Sequence, residues 1–391
     1  MNCIFNFFLL LLFTSALAQD NGLAPEVTDL NAEDISFSKE KEILYLTKPF
    51  ISKSPKDLKD GIPVGILGKD GGDIEKIMAF VHEIIAKDDN NHKTDSLLIS
   101  YKGRLIFESY YKRGRINYPH YQMSITKSYT ALALGRAVQM RYLSMEDLHK
   151  PAVNYLKGLD KTKLAAGVEK ITVHQAMQMK SGIRLDSNKI KEIMKTPENL
   201  KGIGQLQAYF SHTAPIPDKN IDFKYQASDP AITMQLVEAL VPGTAKDFIK
   251  IELLGKLGIS NYGWQEDISG LPKSAAGSSL RSRDMLKMGM LLMNKGKWKG
   301  EQLIPEKFVE LATSPLTDSW GGNSYGYFWW VSKYEIDSKT YICKAGRGAG
   351  GQFIFMFPEI DLIAVVTAHN KGMGTMLKEL PPKIIPAFTH R

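Results

Sequence analysis

Residues 121–128 read Tyr121-Gln122-Met123-Ser124-Ile125-Thr126-Lys127-Ser128, and a run of small and apolar residues follows from Tyr129 to Met140. The run holds Ala131, Leu132, Ala133, Leu134, Ala137 and Val138, so it predicts a buried helix with Ser124 in its first turn. Residues three apart on a helix share a face, which brings Ser124 and Lys127 together. A serine hydroxyl becomes a nucleophile when a neighbouring base takes its proton. A lysine serves as that base once its pKa falls toward neutrality. Desolvation on an apolar helix and the positive end of the helix dipole both push it that way. The N–H groups of the first turn can also hold an oxyanion. Taken alone, the same pair is what an N-cap serine and a snorkelling lysine would give.

Working outward, the preceding stretch Ser96 to Tyr111 predicts a β-hairpin about the turn Lys102-Gly103. Asp73 to Lys87 carries an apolar stripe of Ile74, Ile77, Met78, Val81, Ile84 and Ile85 and predicts an amphipathic helix. Its His82-Glu83 pair lacks a second histidine four residues later, so the zinc-protease pattern fails. After the Ser124 helix, helical starts are expected at Ser144 and between Ile171 and Gly182. Further helices are expected over Asp229–Leu240, Lys246–Lys256, Ser282–Lys295 (capped by Ser282) and Pro305–Thr313. Asp222 to Ala227 reads as a short extended piece. The methionines and leucines at 285, 288, 291 and 292 read as core filler. Strands are expected over Tyr325–Val331, Lys339–Cys343, Gln352–Phe357 and Leu362–Ala368, with a short helix over Pro382–Phe388. Strands first, a helical middle and strands last make an α+β fold: a mainly antiparallel sheet flanked by helices, with a helical sub-domain over roughly residues 130–310.

Residues 1–18, MNCIFNFFLLLLFTSALA, read as a secretory signal peptide, although the segment before the apolar run has no Lys or Arg. About ten apolar residues are too few to span a bilayer. The expectation is export to the bacterial periplasm or beyond, with no stable membrane anchor after cleavage. Residues 19–60 form an N-terminal extension and 61–391 the main domain. Of the two cysteines, Cys3 lies in the leader, which leaves Cys343 without a disulfide partner. Stability must then come from a core, as 43% hydrophobic residues allow. The net charge of +8 is spread along the chain with no basic block interleaved with aromatics. That excludes a nucleic-acid partner and suits a small-molecule or peptide substrate bearing a carboxylate.

Two further stretches carry chemistry. Tyr225, in Phe223-Lys224-Tyr225-Gln226-Ala227-Ser228, could relay a proton beside Lys127. Lys344-Ala345-Gly346-Arg347-Gly348-Ala349-Gly350-Gly351-Gln352 places cations beside glycines that permit close backbone approach. Tyr325, Tyr327, Trp329 and Trp330 serve equally as cleft wall or as core.

The order Ser-x-x-Lys, then Tyr225, then Lys344-x-Gly346 before a paired strand resembles the serine β-lactamase and penicillin-binding-protein superfamily. It is most similar to the class C β-lactamase-related branch that includes 6-aminohexanoate-dimer hydrolases and esterases. The likeness runs from about Gly61 to Ala368. It takes in Ile171-Thr172-Val173-His174, Leu280-Arg281-Ser282-Arg283-Asp284 and Tyr325-Gly326-Tyr327-Phe328-Trp329-Trp330. The resemblance implies a β-lactamase/transpeptidase-like fold. It implies a serine hydrolase acting on amides or esters through an acyl-enzyme on Ser124, with Lys127 and Tyr225 sharing acid/base work. The oxyanion hole would use the Ser124 N–H and an N–H from the strand after Lys344. Lys344, Gly346, Arg347, Gly351 and Gln352 would face the substrate, with neither metal nor cofactor. Ala227 stands where many relatives have Asn or Ser, with Gln226 or Ser228 as replacements. The strand motif fits two registers, Lys344-Ala345-Gly346 or Arg347 to Gln352. The alternative is an inactive penicillin-binding-like module for peptidoglycan or peptides. A Ser-His-Asp hydrolase, for which His369 is the histidine to watch, lacks its Gly-x-Ser-x-Gly stretch. The Gly68-Lys69 pair does not make a P-loop.

Overall fold

The computed structural model describes residues 24–389, so the expected leader lies outside the described residues. The strands are β1 (Phe50–Ser52), β2 (Thr94–Tyr101), β3 (Arg104–Tyr110), β4 (His120–Tyr121), β5 (Gly263–Trp264), β6 (Ser278–Leu280) and β7 (Lys297–Trp298). There follow β8 (Glu301–Gln302), β9 (Thr317–Asp318), β10 (Ser324–Tyr325), β11 (Trp330–Ile336), β12 (Lys339–Gly348), β13 (Gln352–Phe357) and β14 (Leu362–Ala368). A nine-stranded sheet runs β1-β3-β2-β14-β13-β12-β11-β10-β9, and its ladders are antiparallel. Sequence-distant β2 and β14 meet at its centre, Leu98 opposite Val365. The β2–β3 turn falls at Lys102-Gly103, both at positive φ, which glycine adopts at no steric cost.

Every residue of β13 and β14 is buried, because helices cover both faces of the sheet. On one face lies helix Ser282–Met293, whose Gly289 comes close to Ile354 and Ile363. Its Met285, Met288, Leu291 and Leu292 are core, as the apolar stripe predicts. Strand alternation puts Phe357 on the opposite face from Ile354. There Tyr334 packs against Phe357, and its hydroxyl donates to Leu377 O at 2.9 Å in helix Met376–Ile384. Helix Ile74–Ala86, capped by Asp73 on the N–H groups of Glu75 and Lys76, packs beside it. Among the described residues no helix is long and apolar enough to cross a membrane.

Several expectations need correction. Helix Ser282–Met293 is capped at Arg281, and the Ser282 hydroxyl instead bonds Ser96 Oγ at 2.7 Å. The segment Tyr325–Val331 is not one strand: Phe328 sits at φ +59, its N–H bonded to Met177 O, and the ladder restarts at Trp330. Residues 222–227 are loop, tied down by side-chain bonds described below. The C-terminal helix begins at Met376 rather than Pro382, because Met376, Leu380 and Ile384 form a buried stripe that outweighs Pro381 and Pro382 inside it. Strand β12 runs on past Cys343 to Gly348, which carries the glycine-rich stretch to the nucleophile.

Candidate active site

Ser124 is the N-cap of helix Ile125–Gln139, buried from Ile125 through Val138. The residue before it, Met123, lies at φ +48, a conformation that strains any side-chain-bearing residue. Thr126 holds it there: its N–H and its hydroxyl both donate to Met123 O, at 3.1 and 2.7 Å. Gln122 N in turn donates to Ser278 O on β6 at 2.8 Å. The nucleophile is therefore presented by a strap bolted to a small sheet of order β4-β6-β5.

Lys127 Nζ lies 3.1 Å from Ser124 Oγ and donates to Ala275 O at 2.8 Å. Burial pushes its pKa down from 10.5 to about 8. No carboxylate pairs with it among the described residues. Tyr225 completes the group: its ring centroid is 4.7 Å from Lys127 Nζ, and its hydroxyl lies near enough to Ser124 for the serine to act on its pKa. Burial raises the Tyr225 pKa, with the Ser124 hydroxyl and the charge of Arg347 opposing.

Sequence reading missed what fixes Tyr225. Lys224 N donates to Met179 O at 2.9 Å on one side. On the other, the Gln226 amide donates to the buried carboxylate of Asp229 at 2.6 Å. Asp229 also accepts from Ser181 N, Ser181 Oγ and Ser228 Oγ at 3.1, 2.9 and 3.0 Å. Gln226 and Ser228 are thus engaged with Asp229, and neither takes the place of the polar side chain absent at Ala227. Asp229 lies in the first turn of helix Ser228–Leu240, a position that singles it out only once its partners are known.

The glycine-rich stretch divides. Ala345 pairs with Trp330 inside the sheet, and Lys344 Nζ reaches away to Thr313 Oγ1 at 3.1 Å. Gly346 faces Ile125 and the Trp329 ring. Gly348 lies closest to the nucleophile strap: a Cβ there would stand 2.3 Å from Gln122 O. Arg347 is buried with its guanidinium 4.9 Å from the Trp330 ring centroid, bonded to Ser332 Oγ and Asn323 Oδ1. Gly351 at φ +92 turns the hairpin against Asn370, and the Gln352 amide is anchored on Ala368 O. Neither the Ser124 N–H nor the Ala349 N–H has an acceptor among the described residues.

The aromatic wall is smaller than the sequence allows. Tyr325, Tyr327, Trp329 and Trp330 are all buried core, and Tyr327 bonds His174 at 2.6 Å. Trp320, 57% exposed, is the ring that stands in solvent, 5.8 Å from the Tyr225 centroid and 5.3 Å from Phe223. His369 does not approach Ser124; it bonds Asp95 at 2.8 Å and Tyr45 at 2.7 Å.

A large antiparallel sheet flanked by helices, with a serine heading the central buried helix, is the β-lactamase/transpeptidase fold. Residues 79–385 match the Beta-lactamase family, and the chain belongs to that family. Solved structures with the same fold include a Bacillus anthracis protein provisionally assigned as a 6-aminohexanoate-dimer hydrolase, with a TM-score of 0.60 at 19% identity, covering 87% of this chain and 88% of that one. An octameric penicillin-binding protein homologue from Pyrococcus abyssi gives 0.58 at 18% identity, over 79% and 77% of the two chains. A class C β-lactamase gives 0.60 at 16%, over 81% and 96%. At such identities the likeness is one of fold. No curated protein sequence matches. Family and hydrolase neighbours together support a serine hydrolase in general.

Proposed function

We propose that this chain cleaves amide or ester bonds through an acyl-enzyme on Ser124. The observation that carries the reading is the Lys127 amine, desolvated and 3.1 Å from Ser124 Oγ. In its neutral form the amine donates to Ala275 O and keeps a lone pair for the Ser124 proton. Ser124 Oγ then attacks the substrate carbonyl. The resulting oxyanion is received by the Ser124 N–H and an N–H of the stretch after Lys344, where the Ala349 N–H has no acceptor among the described residues. Tyr225, beside Lys127 and Ser124, passes a proton to the leaving amine or alcohol as the carbon–heteroatom bond breaks. Water, deprotonated by the same Lys127–Tyr225 pair, adds to the acyl carbonyl and releases the carboxylic acid and free Ser124. Trp320 offers an apolar surface to the acyl group. The apolar N-terminal run supports export as the route to the substrate.

A fluorescent fluorophosphonate and a 4-nitrophenyl ester test this directly. The wild type should take the label and release 4-nitrophenol, and Ser124→Ala should do neither. A wild type that does neither overturns the proposal in favour of a binding module.

A further inference from the structure

We infer, on the hydrolase reading above, that Asn323, clamped by Arg347, sets acyl-group selectivity by holding the Trp320 indole beside Tyr225 as one wall of a subsite for extended apolar acyl chains. The loop concerned joins edge strands β9 and β10 and reads Ser319-Trp320-Gly321-Gly322-Asn323. Gly321 and Gly322 are both at positive φ, +68 and +71, and a Cβ on Gly322 would meet nothing within 4 Å. Two such glycines leave the backbone many alternatives, so the loop keeps one shape only if something outside it holds on.

Asn323 supplies that hold. Its Nδ2 donates to Trp320 O at 3.0 Å and to Gly321 O at 3.3 Å, and its backbone carbonyl accepts from Ser319 N and Ser319 Oγ, both at 2.9 Å. Its Oδ1 accepts from Arg347 Nη2 at 3.2 Å and from Ser332 Oγ, and Arg347 bonds Ser332 as well. Arg347 and Ser332 are buried on β12 and β11, so one amide side chain ties the loop to the large sheet. Arg347 has no carboxylate partner among the described residues. A buried guanidinium without a counter-ion is costly to keep. Here its charge is met by the Asn323 amide oxygen, the Ser332 hydroxyl and the face of Trp330, whose centroid is 4.9 Å away. A planar fork reaches all three at once, which an ammonium group cannot do.

What the clamp holds is a ring that the core does not cover. Trp320 is 57% exposed, yet its indole sits 5.3 Å from the Phe223 ring, 5.8 Å from Tyr225 and 5.6 Å from Trp330. Tyr225 is itself steadied by its neighbour Gln226, bonded to Asp229. Two anchored loops therefore meet ring on ring, with Lys127 Nζ 4.7 Å from the Tyr225 centroid. An indole fixed beside the proton-moving phenol leaves apolar surface where the substrate must lie. An acetyl group has too few carbons to cover it. An octanoyl chain can lie along it, and each CH2 removed from water adds to binding.

The test uses the full chain labelled with 5-fluorotryptophan. Of its five tryptophans, the one whose fluorine line is lost in Trp320→Phe is this ring. Asn323→Ala should shift that line as the indole leaves its aromatic neighbours, while the lines of Trp264, Trp298 and Trp329 stay and report an intact fold. In kinetics, Asn323→Ala should raise KM for 4-nitrophenyl octanoate about fivefold, with kcat within about twofold and 4-nitrophenyl acetate unaffected. Arg347→Lys should reproduce the octanoate loss. Adding Asn323→Ala to Trp320→Ala should cost nothing more, since the clamp acts only through the ring. A Trp320 line that stays put in Asn323→Ala overturns the inference. So does an equal loss on both esters, or losses that add in full in the double variant. An active wild type with those results sinks only this inference. A wild type that hydrolyses neither ester sinks the hydrolase reading and the acyl selectivity with it, and the fluorine spectrum then decides the clamp alone.

Discussion

Two short polar relays in this molecule are built from similar parts. Ser124–Lys127–Tyr225 and Tyr45–His369–Asp95 each join a hydroxyl to a nitrogen base within about 3 Å. They differ in what stands behind the base. Lys127 has a carbonyl and a wall of apolar residues, and no carboxylate. His369 has Asp95. They differ also in what surrounds the hydroxyl: Ser124 heads a helix with its own N–H lacking an acceptor among the described residues, whereas Tyr45 sits on an exposed arm. A base prepared by desolvation next to unused donors is poised to give up and receive protons. A base clamped between a carboxylate and a phenol is a fastening. The same elements thus serve reaction in one place and anchorage in the other.

The largest effect that would break this comparison is at Ser124. Ser124→Ala should lower kcat for 4-nitrophenyl ester cleavage by roughly 10³-fold or more. Lys127→Met should cost a similar factor while stabilising the fold. The Lys127 pKa is about 8 when folded against a model value of 10.5, so between those values the unfolded chain binds the extra proton. Wild-type stability therefore climbs as pH rises from about 8 to about 10.5, and the penalty is full below 8. Removing the buried amine should raise unfolding free energy by up to ~3 kcal/mol at pH 7, a gain that vanishes above the unfolded pKa. Chemical denaturation at pH 7 and pH 11 measures both. For the same reason wild-type kcat/KM should fall about tenfold per pH unit below 8 and level off above it. A profile flat from pH 6 to 9 would remove Lys127 as the base.

Tyr225→Phe should lower kcat by about 10²-fold with little change in KM, if the phenol moves a proton rather than packing. At the other relay, His369→Gln should leave kcat within about twofold and cost ~1 kcal/mol of stability, the value of a lost hydrogen bond. A kcat loss as large as that of Tyr225→Phe would erase the distinction drawn here. The smallest effect belongs to Trp320→Ala: kcat/KM for a long-chain acyl ester should drop several-fold, with acetate esters unaffected.

What was legible in the sequence was local. The Ser124–Lys127 pair is one turn of helix, and an apolar run announces that helix. The β2–β3 hairpin is set by a two-residue turn, and β13–β14 by alternation and a proline. The core role of the methionines followed from their spacing. Tyr225 became visible only through the order of motifs, because 98 residues separate Lys127 from it. Its supports were not visible at all. Asp229 finds Ser181 across 48 residues, and neither pattern nor propensity marks such a pair. The N-terminal arm read as a mixed polar extension for the same reason. Glu40 meets His120 80 residues on and Tyr45 meets His369 324 residues on, and no periodicity encodes either meeting. The strand motif was ambiguous because two registers share its glycines, and only the close approach of Gly348 to Gln122 O distinguishes them.

That arm has a consequence for how the site is assembled. Phe37–Glu40 sits on Tyr121 as a bound peptide would, ring on ring at 5.0 Å and carboxylate on backbone amide. It is in effect a ligand tethered to its own receptor, and the tether fixes its effective concentration at about the millimolar level. Severed from the chain and returned as a free peptide, residues 24–45 would need to be supplied at that concentration to restore the strap. A single cut near residue 48 would turn a property of one molecule into one that depends on dilution.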